Sequence, residues 1–256
     1  NKVSLTGTFS GQADNLSKRQ MFTTAGYVYA ANASTRLGNH FNISASYNGY
    51  LQTQYDGTVK VNDSTRINRV MHSASLSPSY SYDTDMLGHT ASMSLNYTSN
   101  KDLNPYAKGE TDVQTMAFGL SYSMDAKPIE TNFTLSFSHQ DSKGFSSHYR
   151  SDVLSLGASR SFLKEKNLNS SGTLSLCYNE IKRQSKSLSM GCDLSANYTY
   201  KEAHMFSASA GFNKYGDVNI TKKRSSLDCT DISISFNYAY TFTLLAIKSK
   251  ANKAKK

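Results

Sequence analysis

A two-residue rhythm constrains this chain more than any other feature. Residues 73–82 read Ser-Ala-Ser-Leu-Ser-Pro-Ser-Tyr-Ser-Tyr, with Ser at every odd position. Pro78 aside, most even positions carry a bulkier apolar or aromatic group. The rhythm returns in 91–97, 132–138 and 232–242. Successive side chains of a strand point to opposite faces, so each segment has one apolar face and one small polar face. A soluble sandwich turns charge toward water. Here the polar face is Ser, Thr, Asn and Gly, nearly free of charge. That combination fits a closed barrel with its apolar face toward lipid and its polar face toward a lumen.

Composition agrees. The chain has 256 residues, is 38% hydrophobic and has a mean hydropathy of -0.52. It holds no apolar run long enough for a helical span. A barrel strand meets lipid only at alternate residues, so low hydropathy does not exclude the membrane. Tyr numbers 17, Phe 12 and Trp 0, so an interfacial belt must be built from Tyr and Phe. Cys177, Cys192 and Cys229 form no even disulfide framework. Cys177 and Cys192 fall on opposite faces of one hairpin and are read as isolated thiols. No metal-ligand spacing is present, and no cofactor is expected. Of the net charge of +9, Lys248, Lys250, Lys253, Lys255 and Lys256 supply five units at one end. This is a basic tail on a nearly balanced body, unlike a nucleic-acid-binding domain with a basic stripe.

Alternation and turn signals predict an all-β, up-and-down antiparallel barrel of about twelve strands. They cover 2–13, 21–35, 40–51, 69–82, 87–99, 113–124, 131–141, 152–162, 168–179, 188–200, 204–214 and 230–242. Residues 1–242 form the barrel and 243–256 the tail. Connections alternate between tight turns (36–39, 83–86, 125–130, 163–167, 201–203) and longer polar segments (52–68, 100–112, 142–151, 215–229). With an even strand count both termini fall on the short-turn, periplasmic side. An exported barrel starting at Asn1 without a signal peptide is expected to be a mature or truncated form. Outward aromatics gather toward strand ends: Tyr80, Tyr82, Tyr122, Phe162, Tyr198, Tyr200, Tyr240 and Phe242 on one side, Tyr97, Tyr178 and Phe212 on the other. Pro78 removes a ladder donor, so a bulge is expected beside it. Arg160 takes an outward parity and is expected to snorkel or to lie past a register shift.

On these strands the chain resembles the bacterial outer-membrane β-barrel class over essentially all of 2–242. The Ser, Asn and Tyr richness is most similar in style to barrels of the Bacteroidota. Many barrels of the class end on an aromatic assembly signal; here 243–256 follow Phe242, so that signal is displaced or replaced.

The inward positions, including Ser75, Ser94 and Ser136, are small and neutral. Ion-selective pores use rings of charge, and none is visible. Asp193 is the one mid-strand inward acid, read as a hydrogen-bonded structural group rather than a gate. Some barrels of the class are hydrolases, which would need His with a Ser or carboxylate partner at the outer rim. His72, His139 and His148 lie on that side without a matching motif, and are read as interfacial or loop residues. The expected protein is therefore non-enzymatic. One role is a membrane-embedded subunit or anchor of a larger outer-membrane assembly, with other outer-membrane proteins as partners. The alternative is a passive small-solute pore, with a lipid hydrolase as the remote third reading. The weak lipid face of Ala25, Tyr27, Tyr29, Ala31 and Ala33 favours the first, because small residues allow close approach. Basic loop clusters at Lys18-Arg19, at Lys182 and Arg183 with Lys186, and at Lys222, Lys223 and Arg224 are candidate contacts for lipopolysaccharide phosphates. A generic solvated loop explains them equally well.

Overall fold

A computed structural model describes residues 3–17, 19–107, 109–162, 167–201, 203–217 and 229–241. These form one sheet of twelve strands in sequence order, each antiparallel to the next. The strands are β1 (Val3–Ala13), β2 (Phe22–Leu37), β3 (Phe41–Asp56), β4 (Asn68–Asp83), β5 (Leu87–Asp102) and β6 (Val113–Ala126). After a 3-10 turn at Lys127–Ile129 come β7 (Thr131–Gly144), β8 (His148–Phe162), β9 (Leu168–Ile181), β10 (Ser185–Tyr200), β11 (His204–Asp217) and β12 (Cys229–Tyr240). No helix of the described residues is long and apolar enough to cross a membrane.

The predicted strands are all present and in the expected parity. Their far ends are longer than expected. β3 runs to Asp56, β7 to Gly144 and β9 to Ile181, while β8 starts at His148 and β10 at Ser185. The connection expected to be long at 142–151 shrinks to 145–147, and the one between β9 and β10 is only 182–184. The apolar alternation stops where the strands leave lipid, but their hydrogen-bonded ladders continue. The connections at 57–67 and 103–112 stay long. Residues 218–228, 163–166 and 242–256, which include Phe242 and the basic tail, lie outside the described residues.

Pro78 produces no bulge. It pairs with Ile43 in the β3 ladder, and the β4–β5 ladder merely pauses between Leu76↔Leu95 and Ser79↔Ser92. The register is the same on both sides of the pause, so one missing donor costs pairing locally and shifts nothing.

Successive cross-strand partners trace a climbing line. It starts at Leu5 near the beginning of β1, passes Leu76, Leu95, Phe118 and Tyr178, and reaches Gly216 near the far end of β11. Antiparallel hydrogen bonds run perpendicular to the strands. A line that climbs almost a full strand length therefore means tilted, sheared strands, as a barrel wall requires. Among the described residues no ladder joins β1 to β12. Phe9 and Phe236 on these end strands are 73% and 80% exposed, against 45% for Leu154 in the middle of the sheet.

Among the described residues there is no hydrophobic core. The buried apolar residues among those described are Ala25, Val61 and Ala126, and no large side chain is fully buried. A soluble domain packs two layers around an apolar centre. This single layer leaves Leu120, Leu135, Leu154, Leu174, Met190 and Leu194 on its surface.

Candidate membrane surface and polar inner face

The outward face is ordered along the strands. One row of partners, Phe137, Leu154, Leu176 and Met190, is wholly apolar. The next outward row toward the far end is His139, Asp152, Tyr178 and Leu188. The one beyond is Asp141, Arg150, Glu180 and Lys186, with charge alternating across four strands. His139 pairs with Asp152 at 2.6 Å, His148 with Asp141 at 2.8 Å, Arg150 with Asp152 at 2.9 Å and Lys186 with Glu180 at 3.2 Å. The His148 hydrogen bond holds the Asp141 carboxyl below its ordinary value, and the Lys186 hydrogen bond does the same for Glu180. The lipid boundary thus falls within two rows of Phe137.

Sequence reading leaves His148 and Arg150 in a loop at 142–151 and Glu180 and Lys186 between strands, and it does not pair His139 with Asp152 across the ladder. The signal was there: charged or imidazole groups sit at 139, 141 and 143 and again at 148, 150 and 152, keeping the period of two. Both histidines gain a carboxylate partner beside the row of alternating charge.

The short-turn end carries a different belt. His40 packs against Tyr80 and Tyr82. The His89 ring meets the Tyr122 hydroxyl at 2.7 Å. His204 meets the Tyr238 hydroxyl at 2.8 Å and packs on Tyr200 and Tyr240. Each of the three histidines at this end therefore joins a tyrosine belt, as amphipathic rings at a membrane interface do. Arg160 keeps its outward parity, paired with Thr131 and Ser170 with no register shift, and its guanidinium lies 4.8 Å over the Phe162 ring.

The inner face is a hydroxyl lattice. Ser75 bonds Ser46 at 2.7 Å, Ser92 bonds Ser121 at 2.6 Å, Ser171 bonds Ser195 at 2.7 Å and Ser209 bonds Ser235 at 2.7 Å. Ser136 stands between Ser121 and Ser155, and Ser94 leans toward Gly119, where a Cβ would meet its hydroxyl. Hydroxyls that satisfy one another cross-strand can line a wet surface without charge. Asp193 sits between Thr173 and Gly211, exposed on this face. Other charge on this face stands toward the two mouths: Arg69 pairs with Asp102 at 3.8 Å toward the far end, and at the short-turn mouth Asp125, Lys127 and Glu130 line a polar cavity of about 550 Å³ with Asn132, Arg160, Asn169 and Asn197.

The remaining candidate residues fall as follows. Ala25 is buried, whereas Ala31 and Ala33 lie more open on the outward face. Tyr27 stacks on Phe9, while Tyr29 leans the other way over Gly49 toward His72. The two rings diverge, and on the short-turn side of Tyr29 the small residues make a low patch where Ala31 faces Gly7 and Ala33 faces Ala45. Lys182 and Arg183 form the exposed β9–β10 turn, with Arg183 at φ 67. Lys186 is held by Glu180. Lys18, Lys222, Lys223 and Arg224 lie outside the described residues. Cys177 and Cys192 are free thiols on opposite faces.

A coreless single sheet of twelve sheared up-and-down strands, apolar outside, hydroxyl-lined inside and belted with tyrosine, is an integral β-barrel of the bacterial outer-membrane kind. Lipid is the medium its outer face requires. No protein-family model and no curated protein matches the sequence. Solved structures similar to it include in-vitro folded OmpT, an outer-membrane protein of Vibrio cholerae, at TM-score 0.45 and 6% identity over 93% of this chain and 95% of that one. The β domain of the Bordetella autotransporter BrkA gives TM-score 0.29 and 12% identity over 93% and 98%. The translocator domain of NalP from Neisseria meningitidis gives 0.25 and 12% over 94% and 87%.

Proposed function

We propose that this barrel is a non-enzymatic, membrane-embedded subunit or anchor of a larger assembly in the bacterial outer membrane. Both termini face the periplasm, and the far end, with Lys182 and Arg183, meets lipopolysaccharide. The observation that carries the assembly reading is the low outward patch of Gly7, Ala31, Ala33 and Ala45, beside Tyr29 on its short-turn side. Small residues let another backbone approach closely. The neutral hydroxyl lattice inside supports the same reading, since a tuned pore needs charge along its path. Ala31→Trp should block the approach and leave the barrel folded, because lipid accepts a larger side chain. Co-purification in mild detergent reads this. A stoichiometric partner present with wild type and lost with the Trp variant supports the subunit. A wild-type chain that always purifies alone and conducts ions steadily in bilayers overturns it in favour of the pore. Surface protease on intact cells tests orientation. Cleavage within 57–67 with the 38–40 turn spared is expected, and the reverse pattern inverts the barrel.

A further inference from the structure

The outward face of β8–β12 carries a groove of about 450 Å³. It runs between two rows of cross-strand partners. One is Arg160, Ser170, Ala196, Ala208 and Phe236. The other is Ala158, Gly172, Leu194, Ala210 and Ile234. Alanine and glycine make the floor, while Leu194, Ile234 and Phe236 make the wall. The groove is amphiphilic along its length. Its polar end, at Arg160 and Ser170, lies two residues from the short-turn ends of β8 and β9, inside the aromatic belt. Its apolar end climbs toward mid-strand at Ile234. Among the described residues no carboxylate lies within ion-pair distance of Arg160, whose guanidinium rests over the Phe162 ring at the membrane surface. A second outward groove, lined by Phe41, Tyr80, Met93, Leu120 and Phe137, is of similar size at about 540 Å³ and holds no charged residue.

We propose that the β8–β12 groove binds one anionic glycerophospholipid of the leaflet at the short-turn side. Its phosphate meets Arg160 and the Ser170 hydroxyl, and one acyl chain lies along Ala196 and Ala208 toward Phe236. A guanidinium suits a phosphate because its donors form a planar fork. An acyl chain suits the remainder because the floor is small and the wall aliphatic. The volume lies within the range of small-ligand clefts, about 300–1,000 Å³. The uncharged groove on β3–β8 takes acyl chains without regard to headgroup. The proposal rests on the barrel standing in a bilayer.

The test uses the full chain, solubilised from mixed phosphatidylcholine and phosphatidylglycerol vesicles, with native mass spectrometry counting the lipids that remain bound. Folding and insertion are read separately, by heat-dependent gel mobility and protease resistance in the vesicles. Wild type should retain one phosphatidylglycerol in preference to phosphatidylcholine by roughly tenfold, the scale of one charge-assisted contact. Arg160→Gln should lose the preference and keep the fold. Ala196→Trp, which fills the groove, should lose the retained phosphatidylglycerol while Arg160 remains. Equal retention of both lipids by wild type overturns the proposal, as does a preference that survives Arg160→Gln. A dimer that carries no lipid and dissociates in Ala196→Trp overturns it in favour of a second copy on this face. Failure of the chain to resist protease in any vesicle refutes the bilayer reading itself, and is recognised before lipids are counted.

Discussion

Replacing Leu95 with Arg tests the membrane assignment near the middle of the outward apolar band. Leu95 lies on the outward face of β5, with Leu76 and Phe118 as its partners on either side. The outward apolar stretch of β5 is bounded by His89, ten residues below Ser99. At about 3.3 Å per residue and a tilt of roughly 40°, that stretch spans about 25 Å of height. This equals the apolar band of an outer-membrane barrel, and Leu95 falls close to its middle. Arg at the midplane of the lipid face costs about 2–4 kcal/mol. Each 1.4 kcal/mol is tenfold, so the folded-to-unfolded ratio should drop by a factor of roughly 30 to several hundred. Ser94 is one residue away on the hydroxyl face, where water or a wide lumen receives an Arg. Its replacement should cost no more than a surface change, about 0.5 kcal/mol. The assay is reversible denaturant unfolding from lipid vesicles, with both variants beside wild type. Equal destabilisation at Leu95 and Ser94 would refute the facing of every strand, because one parity runs through all the ladders.

Two further outcomes follow from the sheet. Asp141 and Glu180 have carboxyls held below their ordinary values by His148 and Lys186. A depressed folded value adds stability that is complete above the unfolded value and lost as pH falls through the folded one, here below about pH 4. Wild type should therefore lose midpoint stability more steeply than Asp141→Asn between pH 5 and pH 3, and parallel curves would show that the outer ion rows contribute nothing. The edges of β1 and β12 cannot stay unpaired in lipid, where each unsatisfied backbone group costs several kcal/mol. Their amides should exchange with deuterium as slowly as those of β6 and β7 once the chain is in vesicles, and fast exchange confined to β1 and β12 would show an open sheet.

Much of this architecture was legible in the sequence, because a strand in lipid must alternate and a misread register would flip a whole face. The residues of 73–82 and 91–97 announce both their strands and their facing. Legibility failed where lipid stopped imposing the pattern. Beyond Phe137 the outward residues become His139, Asp141 and Lys143, which look like a polar loop until they are seen to keep the period of two opposite Asp152, Arg150 and His148. Their pairing depends on the β7–β8 register, which no single strand contains. Pro78 misled for a related reason: a missing donor reads as a bulge, yet partners on both sides held the register unbroken. The divergence of Tyr27 and Tyr29 depends on Gly11 and Gly49, and the low patch around Ala31 on Gly7 and Ala45, all in neighbouring strands. The groove beside Arg160 likewise depends on residues from five strands. In a wall one residue thick, strands are written locally, and surfaces that can bind anything are written across the ladders. Arg160, an outward charge near the short-turn end of β8, is therefore an anomaly when read along the chain, and the polar end of an amphiphilic groove when read across it.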